Sequence, residues 1–185
     1  MANVGSRTLS GNASLRRIMV STASSDPARG FLMAGGLKAP CALGRSGIGG
    51  RKREGDGKTP SGQYGLVAVL YRPDRIRRPA TGLPVMPIRP DMGWCDDPAD
   101  AHYNREVRLP FAARHEALWR KDHVYDLVVI LDYNLERPVR GAGSAIFLHL
   151  ARPDFTPTEG CVAVSLSTMR RLLAAAGPET FIEIR

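Results

Sequence analysis

The apolar residues of this 185-residue chain come in short runs that glycine and proline separate. With 19 glycines and 14 prolines, the composition favours short strands joined by turns over long helices. The length suits one domain with a sizeable core. We therefore predict a mainly β fold, a sandwich or a barrel, with one or two short helices.

Nine apolar segments have the length and composition of strands. The segment 125–133 is the most apolar of them and is predicted to be central in its sheet. The nine are 15–21, 30–34, 37–43, 63–71, 83–89, 125–133, 146–150, 162–164 and 180–184.

One helix is predicted over residues 167–176, with Ser165 or Ser167 as its N-cap. Residues 92–126 are rich in aromatic and charged side chains and show little periodicity. We predict that they form an irregular insertion with one helical turn at 115–119, and long ordered loops of this kind are often functional.

The division of the chain is simple, because no linker or internal repeat interrupts it. Residues 1–14 are small and polar and predict a flexible N-terminus. Residues 15–185 are predicted to form a single domain. Within it, Asp26 and Pro27 predict a turn between the first two strands.

The charge and the cysteines limit the class of protein. A net charge of +8 suits an anionic partner, which could be nucleic acid, a membrane surface or an acidic polymer. The basic side chains of 45–58 and 72–78 could line a basic cleft for such a polymer, or they could form a solvated surface. The three cysteines, Cys41, Cys95 and Cys161, are too few and too sparse for a disulfide framework. No apolar run reaches membrane-spanning length, and the short apolar stretch after Arg16 and Arg17 does not make an export signal.

Two segments resemble part of a known motif, but each lacks a residue that the motif requires. Gly57-Lys58-Thr59 looks like the end of a phosphate-binding loop, but Lys52 stands where the motif needs glycine, and the segment 44–62 is by itself typical of a solvated basic loop. His115 and Glu116 resemble part of a zinc-protease helix, yet the second histidine is replaced by Trp119. We expect no metal and no cofactor.

The segment 146–165 carries the strongest chemical signal. His149 ends one apolar run, and Cys161 begins the next one twelve residues later, across a proline-containing loop. A loop that folds back would place an imidazole beside a thiol, which is how a cysteine nucleophile is ionised at neutral pH. Gly160 leaves room for a substrate, and its backbone N–H is a candidate oxyanion donor.

These residues resemble a known family. Thr158-Glu159-Gly160-Cys161-Val162, with His149 upstream, resembles the catalytic signature of the L,D-transpeptidases, the YkuD/ErfK-type domain. The segment 55–62, GDGKTPSG, is similar to that family's upstream segment. The stretches MGWCDD, YNR, HEALWR and GSAIFLH are similar to one bacterial branch, so the resemblance runs from about residue 15 to the end.

One position departs from the family pattern. The family has arginine two residues after the nucleophile, where this chain has Ala163. Arg152 in the preceding loop is the candidate to replace its charge. The departure bears on the substrate contacts more than on the nucleophile.

The resemblance implies a β-rich fold with the histidine and cysteine at one end, and acyl transfer in two halves. Cys161 would attack a carbonyl of a peptidoglycan stem peptide, His149 would move the proton, and an amine of a second stem would form the crosslink. The residues expected to bind substrate are Ser144, Arg152, Tyr103, Asn104, His115, Glu116 and Trp119, and Ser144 is alternatively expected to orient His149.

Alternatives remain at this stage. The same cysteine and histidine would serve an L,D-carboxypeptidase or an amidase, which hydrolyses stems instead of joining them. A basic nucleic-acid-binding module is a remote alternative, because the chain lacks RNA-binding aromatic motifs and a recognition helix. We expect stem peptides as partners, no nucleic acid and, from the resemblance, a periplasmic or cell-envelope location.

Overall fold

The computed structural model describes residues 15–23 and 25–185. The predicted flexible terminus, residues 1–14, lies outside the described residues. The described chain is mostly β with one α-helix, which confirms the predicted fold class. In chain order the elements are β1 (Leu15–Ala23), β2 (Asp26–Ala34), β3 (Leu37–Ala42), β4 (Ile48–Gly49), β5 (Thr59–Pro60), β6 (Gly62–Tyr71), β7 (Val85–Pro87), β8 (Met92–Cys95), β9 (Arg105–Arg108), β10 (His115–Ala117), β11 (Leu127–Leu131), β12 (Phe147–Leu150), β13 (Val162–Val164), α1 (Leu166–Ala175) and β14 (Ala176–Ile184).

The large sheet closes on itself. Its strands follow the order β11-β12-β13-β3-β2-β1-β14-β6, and β6 also pairs with β11, so the first and last strands of the series meet. The strand β7 pairs in parallel with the end of β6. Closure leaves few strand edges unpaired, which is how many all-β domains avoid pairing with other chains.

Two apolar cores follow from the alternation of side chains along the strands. Leu148 and Leu150 of β12 and Val162 and Val164 of β13 belong to the core inside the barrel. Phe147 of β12 points the other way, into a second core on the outer face. Because successive side chains of a strand point to opposite faces, one short strand supplies both cores.

A three-stranded sheet covers this outer face, in the order β10-β8-β9. It occupies the region predicted as an irregular insertion, so the helical turn predicted at 115–119 is wrong. His115 pairs with Cys95 and Glu116 with Trp94, and this antiparallel pairing with β8 satisfies the backbone that a helical turn would have satisfied internally. Trp94 packs edge-to-face on Phe147 and ties the small sheet to the barrel.

Two other local predictions have different outcomes. Asp26 and Pro27 do not form the turn but begin β2, with Asp26 paired to Ala23 across a tighter connection. The predicted helix is present, and Ser165 is its N-cap, where its hydroxyl oxygen accepts a hydrogen bond from the Thr168 N–H at 3.2 Å.

Candidate active site

The parallel pairing of β12 and β13 places the predicted histidine and cysteine on one face. Leu148 lies opposite Val162, and both side chains enter the barrel core. By the alternation of the strands, His149 and Cys161 therefore both face outward, toward the small sheet. The connection across 151–161 brings the two ends together, as the sequence predicts.

Both side chains line one cleft of about 700 Å³ between the barrel, the small sheet and the segment that holds Lys52 and Glu54. Most of the residues that the sequence singles out for the site lie in its walls. These are Ser144, His149, Arg152, Gly160, Cys161, His115 and Glu116.

The Cys161 thiol is protonated in this arrangement. Its Sγ donates a hydrogen bond to the Ala145 carbonyl oxygen at 3.2 Å and accepts one from the Phe147 N–H at 3.4 Å. Burial, followed by the charge of Glu116, raises the pKa of Cys161 to about 12, against the Phe147 N–H and Lys52, which lower it. Cys161 is only 8% exposed, and it lines the cleft.

The His149 imidazole is neutral. Its Nδ1 lies 3.0 Å from the Leu150 carbonyl oxygen, and because a carbonyl can only accept, Nδ1 carries the proton and Nε2 holds the lone pair. Burial lowers the pKa of His149 to about 4. The sequence predicts a thiolate beside the imidazole, whereas the structure holds a neutral pair, because both groups are buried.

The loop before β12 is held in an unusual conformation. Ala145 has a φ of 51°, in the left-handed region that a residue with a Cβ seldom adopts. Its N–H donates to Asn104 Oδ1 at 3.0 Å, and the same oxygen accepts from Trp94 Nε1 at 2.9 Å. Asn104 Nδ2 donates to the carbonyl oxygens of Tyr133 and Asn134. Asn104 therefore holds Ala145 in place, and the Ala145 carbonyl oxygen accepts the hydrogen bond of the Cys161 thiol.

Three residues predicted to bind substrate do not line the cleft: Asn104, Tyr103 and Trp119. Asn104 and Tyr103 are almost fully buried and support the cleft wall from within the protein. The Tyr103 hydroxyl donates to Glu54 Oε2 and accepts from the Gly143 N–H at 3.0 Å. Trp119 lies under the Arg72 guanidinium, 3.7 Å from its ring centroid, and packs against the outer core. Apolar contacts in the core explain why its ring is not in the cleft.

Ser144 and Glu54 form a polar edge of the cleft. The Ser144 hydroxyl donates to Glu54 Oε2 at 2.7 Å, the same oxygen that accepts from Tyr103. Glu54 belongs to the segment 44–62 and was not expected in the site. The predicted role of Ser144 in orienting His149 has no hydrogen bond to support it, since its hydroxyl is committed to Glu54.

On the opposite side of the cleft, Tyr125 contacts both His149 and the Glu116 carboxylate. Tyr125 packs edge-to-face against the His149 ring with centroids 5.3 Å apart, and its hydroxyl donates to Glu116 Oε1 at 2.8 Å. Burial raises the pKa of Glu116, although the Tyr125 hydroxyl and Arg120 lower it in part. Arg152 also lies on this side and reaches Asp122 at 3.3 Å.

The residue before the nucleophile, Gly160, has a backbone conformation and surroundings that strongly favour glycine. Gly160 has a φ of 142°, and a Cβ there would lie 2.8 Å from the Lys58 carbonyl oxygen. Its N–H, however, donates to Thr158 Oγ1 at 3.2 Å. The predicted role of this N–H as an oxyanion donor conflicts with that hydrogen bond, since one N–H is already engaged.

The cleft carries both signs of charge, so it is not the basic groove that the net charge suggests. The basic segment 72–78 stays outside it, with Arg72 and Arg75 paired to Asp74. The charged residues in the walls are Lys52, Arg114, Arg120 and Arg152 against Glu54, Asp96, Glu116 and Glu159.

Lys52, like Glu54, is a residue of the cleft that the sequence does not single out. The segment 44–62 reads as a solvated basic loop, yet the Lys52 side chain is only 3% exposed and its Nζ lies 2.9 Å from Asp56 Oδ1. The adjoining GDGKTP stretch, taken together with the family resemblance, is the signal that places this segment near the nucleophile.

Residues 15–23 and 25–185 lack two features, a metal-binding cluster and a membrane-spanning helix. No group of three or more His, Cys, Asp or Glu side chains is arranged there to hold a metal ion. No helix in that part of the chain has the length and apolar character needed to cross a membrane.

Comparison with known proteins bears on this cleft. A solved structure described as that of Bd1075 from Bdellovibrio bacteriovorus is similar, with 18% sequence identity and a TM-score of 0.45 over 95% of this chain and 50% of the other. The chain thus spans about half the length of that protein, and the comparison with curated proteins found no match. A family model described as YkuD, L,D-transpeptidase catalytic domain, matches residues 16–184. Members of this family are cysteine-dependent enzymes that act on peptidoglycan. The chain belongs to the YkuD family of L,D-transpeptidase catalytic domains.

Proposed function

We propose that this protein is a peptidoglycan L,D-transpeptidase that joins stem peptides through a thioester on Cys161. The observation that carries the proposal is the shared outward face of Cys161 and His149 at the wall of one cleft, in a chain of this family. Neither group is charged at rest, so the thiol proton moves as the sulfur attacks.

The first half-reaction forms the acyl-enzyme. Cys161 Sγ leaves the Ala145 carbonyl, gives its proton to Nε2 of His149 and bonds to the carbonyl carbon of the donor stem. The carbon–nitrogen bond of that amide then breaks, and the imidazolium returns the proton to the departing amine. The donor is left as a thioester, and His149 is neutral again.

The second half-reaction makes the crosslink. The amine of an acceptor stem attacks the thioester carbon, loses a proton to His149, and displaces the Cys161 sulfur, which regains that proton. A stem peptide carries both carboxylates and an amine. The mixed charges of the walls, such as Arg114 and Arg120 beside Glu54 and Glu116, suit such a zwitterionic chain.

Product analysis tests the proposal. Purified protein is incubated with isolated stem peptides, donor and acceptor together, and the products are resolved by mass spectrometry. Crosslinked dimers from the wild type and none from Cys161→Ala are expected. Trimmed stems without dimers would replace the proposal with its alternative, an L,D-carboxypeptidase or amidase using the same residues, because water would then be the acceptor.

The proposed substrate also implies a place of action. Peptidoglycan lies outside the cytoplasmic membrane, so we propose that the protein acts in the periplasm or cell envelope and contributes to cell-wall biogenesis and cell shape. Cell fractionation with an antibody against the native protein tests this, and recovery from the cytosol alone would contradict it.

A further inference from the structure

The Lys52 side chain is buried at the back of the nucleophile in a channel that two glycines leave open. A Cβ on Gly143 would lie 2.8 Å from Lys52 Cε, so the lysine stem occupies the space of the missing side chain. A Cβ on Gly160 would lie 3.1 Å from Lys52 Nζ. The ammonium therefore ends against the residue that precedes Cys161.

This ammonium has a carboxylate partner that is itself held in place. Asp56 Oδ1 accepts from Lys52 Nζ and from the Lys58 N–H, both at 2.9 Å, and Asp56 Oδ2 accepts from the Arg53 N–H at 2.8 Å. Burial opposes ionisation of Asp56, but these hydrogen bonds prevail and its pKa is lowered. Asp56 is thus a carboxylate held by backbone N–H groups, and it orients the Lys52 ammonium.

The charges that act on Cys161 come from two sides. Glu116, on the small sheet, raises the pKa of the thiol, and Lys52 lowers it. Asp56, the partner of Lys52, is not among the groups that shift the pKa of the thiol. Lys52 is therefore the cleft cation that lowers the pKa of the thiol, and its ammonium ends beside Gly160.

Arg152, the sequence-based candidate for a compensating cation, lies in a different place. Its charge acts on His149, whose pKa it lowers, and its guanidinium is paired with Asp122. A cation at that position disfavours the imidazolium that forms during catalysis. It does not supply positive charge to the sulfur.

We propose that Lys52 stabilises the negative charge that develops on Cys161 Sγ and on the adjoining substrate oxygen during acyl transfer. A fixed, desolvated charge acts strongly there, because it needs no reorganisation when the substrate charge forms. The proton stays on the lysine throughout, and no bond to it is made or broken. The inference holds for transfer and for hydrolysis alike, so it does not depend on which of them the enzyme performs.

Alkylation of Cys161 by iodoacetamide tests the inference without any peptidoglycan substrate. The rate at pH 8 is followed by mass spectrometry of the peptide that contains Cys161. Lys52→Met should slow alkylation about tenfold, and Lys52→Arg should stay within about threefold of the wild type, because it keeps the charge. Lys38→Met, which removes a lysine outside the cleft that packs over Phe31, is the matched control and should leave the rate unchanged.

Two further variants separate the charge from a structural role. Lys52→Met combined with Asp56→Asn leaves no unpaired buried carboxylate, and it should be as slow as Lys52→Met alone. Asp56→Asn alone frees the lysine charge from its partner and should speed alkylation. A merely structural lysine would give slow alkylation in Lys52→Arg and in Asp56→Asn as well, and that result, or an unchanged rate in Lys52→Met, would overturn the inference.

Discussion

Cys161 donates its thiol hydrogen bond to the Ala145 carbonyl oxygen, 3.2 Å from Sγ, rather than to the imidazole. The resting enzyme therefore stores its nucleophile as a neutral thiol. This hydrogen bond accompanies the burial that, followed by the charge of Glu116, raises the pKa of Cys161. It also means that the thiol must rotate away from the Ala145 carbonyl before it can give its proton to His149, because a thiol donates only one hydrogen bond.

The neutral histidine predicts a loss of stability in acid. His149 has a pKa of about 4 in the folded chain and an ordinary value of 6.5, so between these values the unfolded chain binds more protons. Stability must then fall as the pH drops from about 6.5 to about 4, by about 3 kcal/mol from this residue. Urea unfolding at both pH values measures the loss.

The matched variant for this measurement is His149→Gln, which keeps a polar side chain but cannot titrate. Its unfolding free energy should decline less than that of the wild type over the same pH interval, by about that amount. Equal declines in the two proteins would contradict the assignment of a buried neutral imidazole.

The glycine beside the nucleophile gives a second prediction. Gly160→Ala should destabilise the fold by about 3 kcal/mol, because a Cβ would collide with the Lys58 carbonyl oxygen in addition to the strain of the positive φ. Gly141→Ala is the control, since its φ is 76° but no atom lies within 4 Å of the added Cβ, so it should cost only about 1 kcal/mol. Thermal or urea melts that rank the two variants equally would contradict the steric argument.

The hydrogen bonds of Asn104 behind the cleft wall give a third prediction. Asn104→Ala removes the partner of the Trp94 and Ala145 donors and leaves two carbonyl oxygens without theirs, so the loss should be about 3–5 kcal/mol. Trp94→Phe removes one hydrogen bond of the same network and should cost about 1–2 kcal/mol. Urea unfolding measures both. If Asn104→Ala stayed within 1 kcal/mol of the wild type, Asn104 would not hold this loop.

The tyrosine beside His149 gives a fourth prediction. Burial raises the pKa of Glu116, and the Tyr125 hydroxyl partly offsets that rise by donating to Oε1. Tyr125→Phe keeps the ring against His149 but removes the donor, so the pKa of Glu116 should rise further. Titration of the Glu116 carboxyl carbon by ¹³C NMR measures it, and a pKa that falls or does not move would contradict the contact.

The sequence predicts those parts of this fold that depend on local patterns. Short apolar runs mark the barrel strands, and the serine before α1 marks its N-cap, because strand alternation and capping are properties of neighbouring residues. The sequence does not predict β10, because its pairing partner, β8, is distant in sequence and residues 115–119 carry no strand alternation of their own.

In the candidate site too, local sequence predicts some residues, and only tertiary packing places the others. His149 and Cys161 are found by type and spacing, and the parallel pairing of their strands brings them to one face. Lys52 and Glu54 reach the cleft only through tertiary packing, and their charge made them resemble a solvated surface. Trp119 is the reverse case, since an aromatic side chain in an apparent loop packs against the outer core and does not line the cleft.

The most direct test of the account is the mass of the acyl-enzyme. Wild-type protein mixed with a donor stem peptide and no acceptor should gain the mass of the donor without its leaving group, and proteolysis should locate that mass on the peptide that contains Cys161. Cys161→Ala should gain nothing. A donor mass on any other residue, or turnover by the alanine variant, would contradict the thioester mechanism.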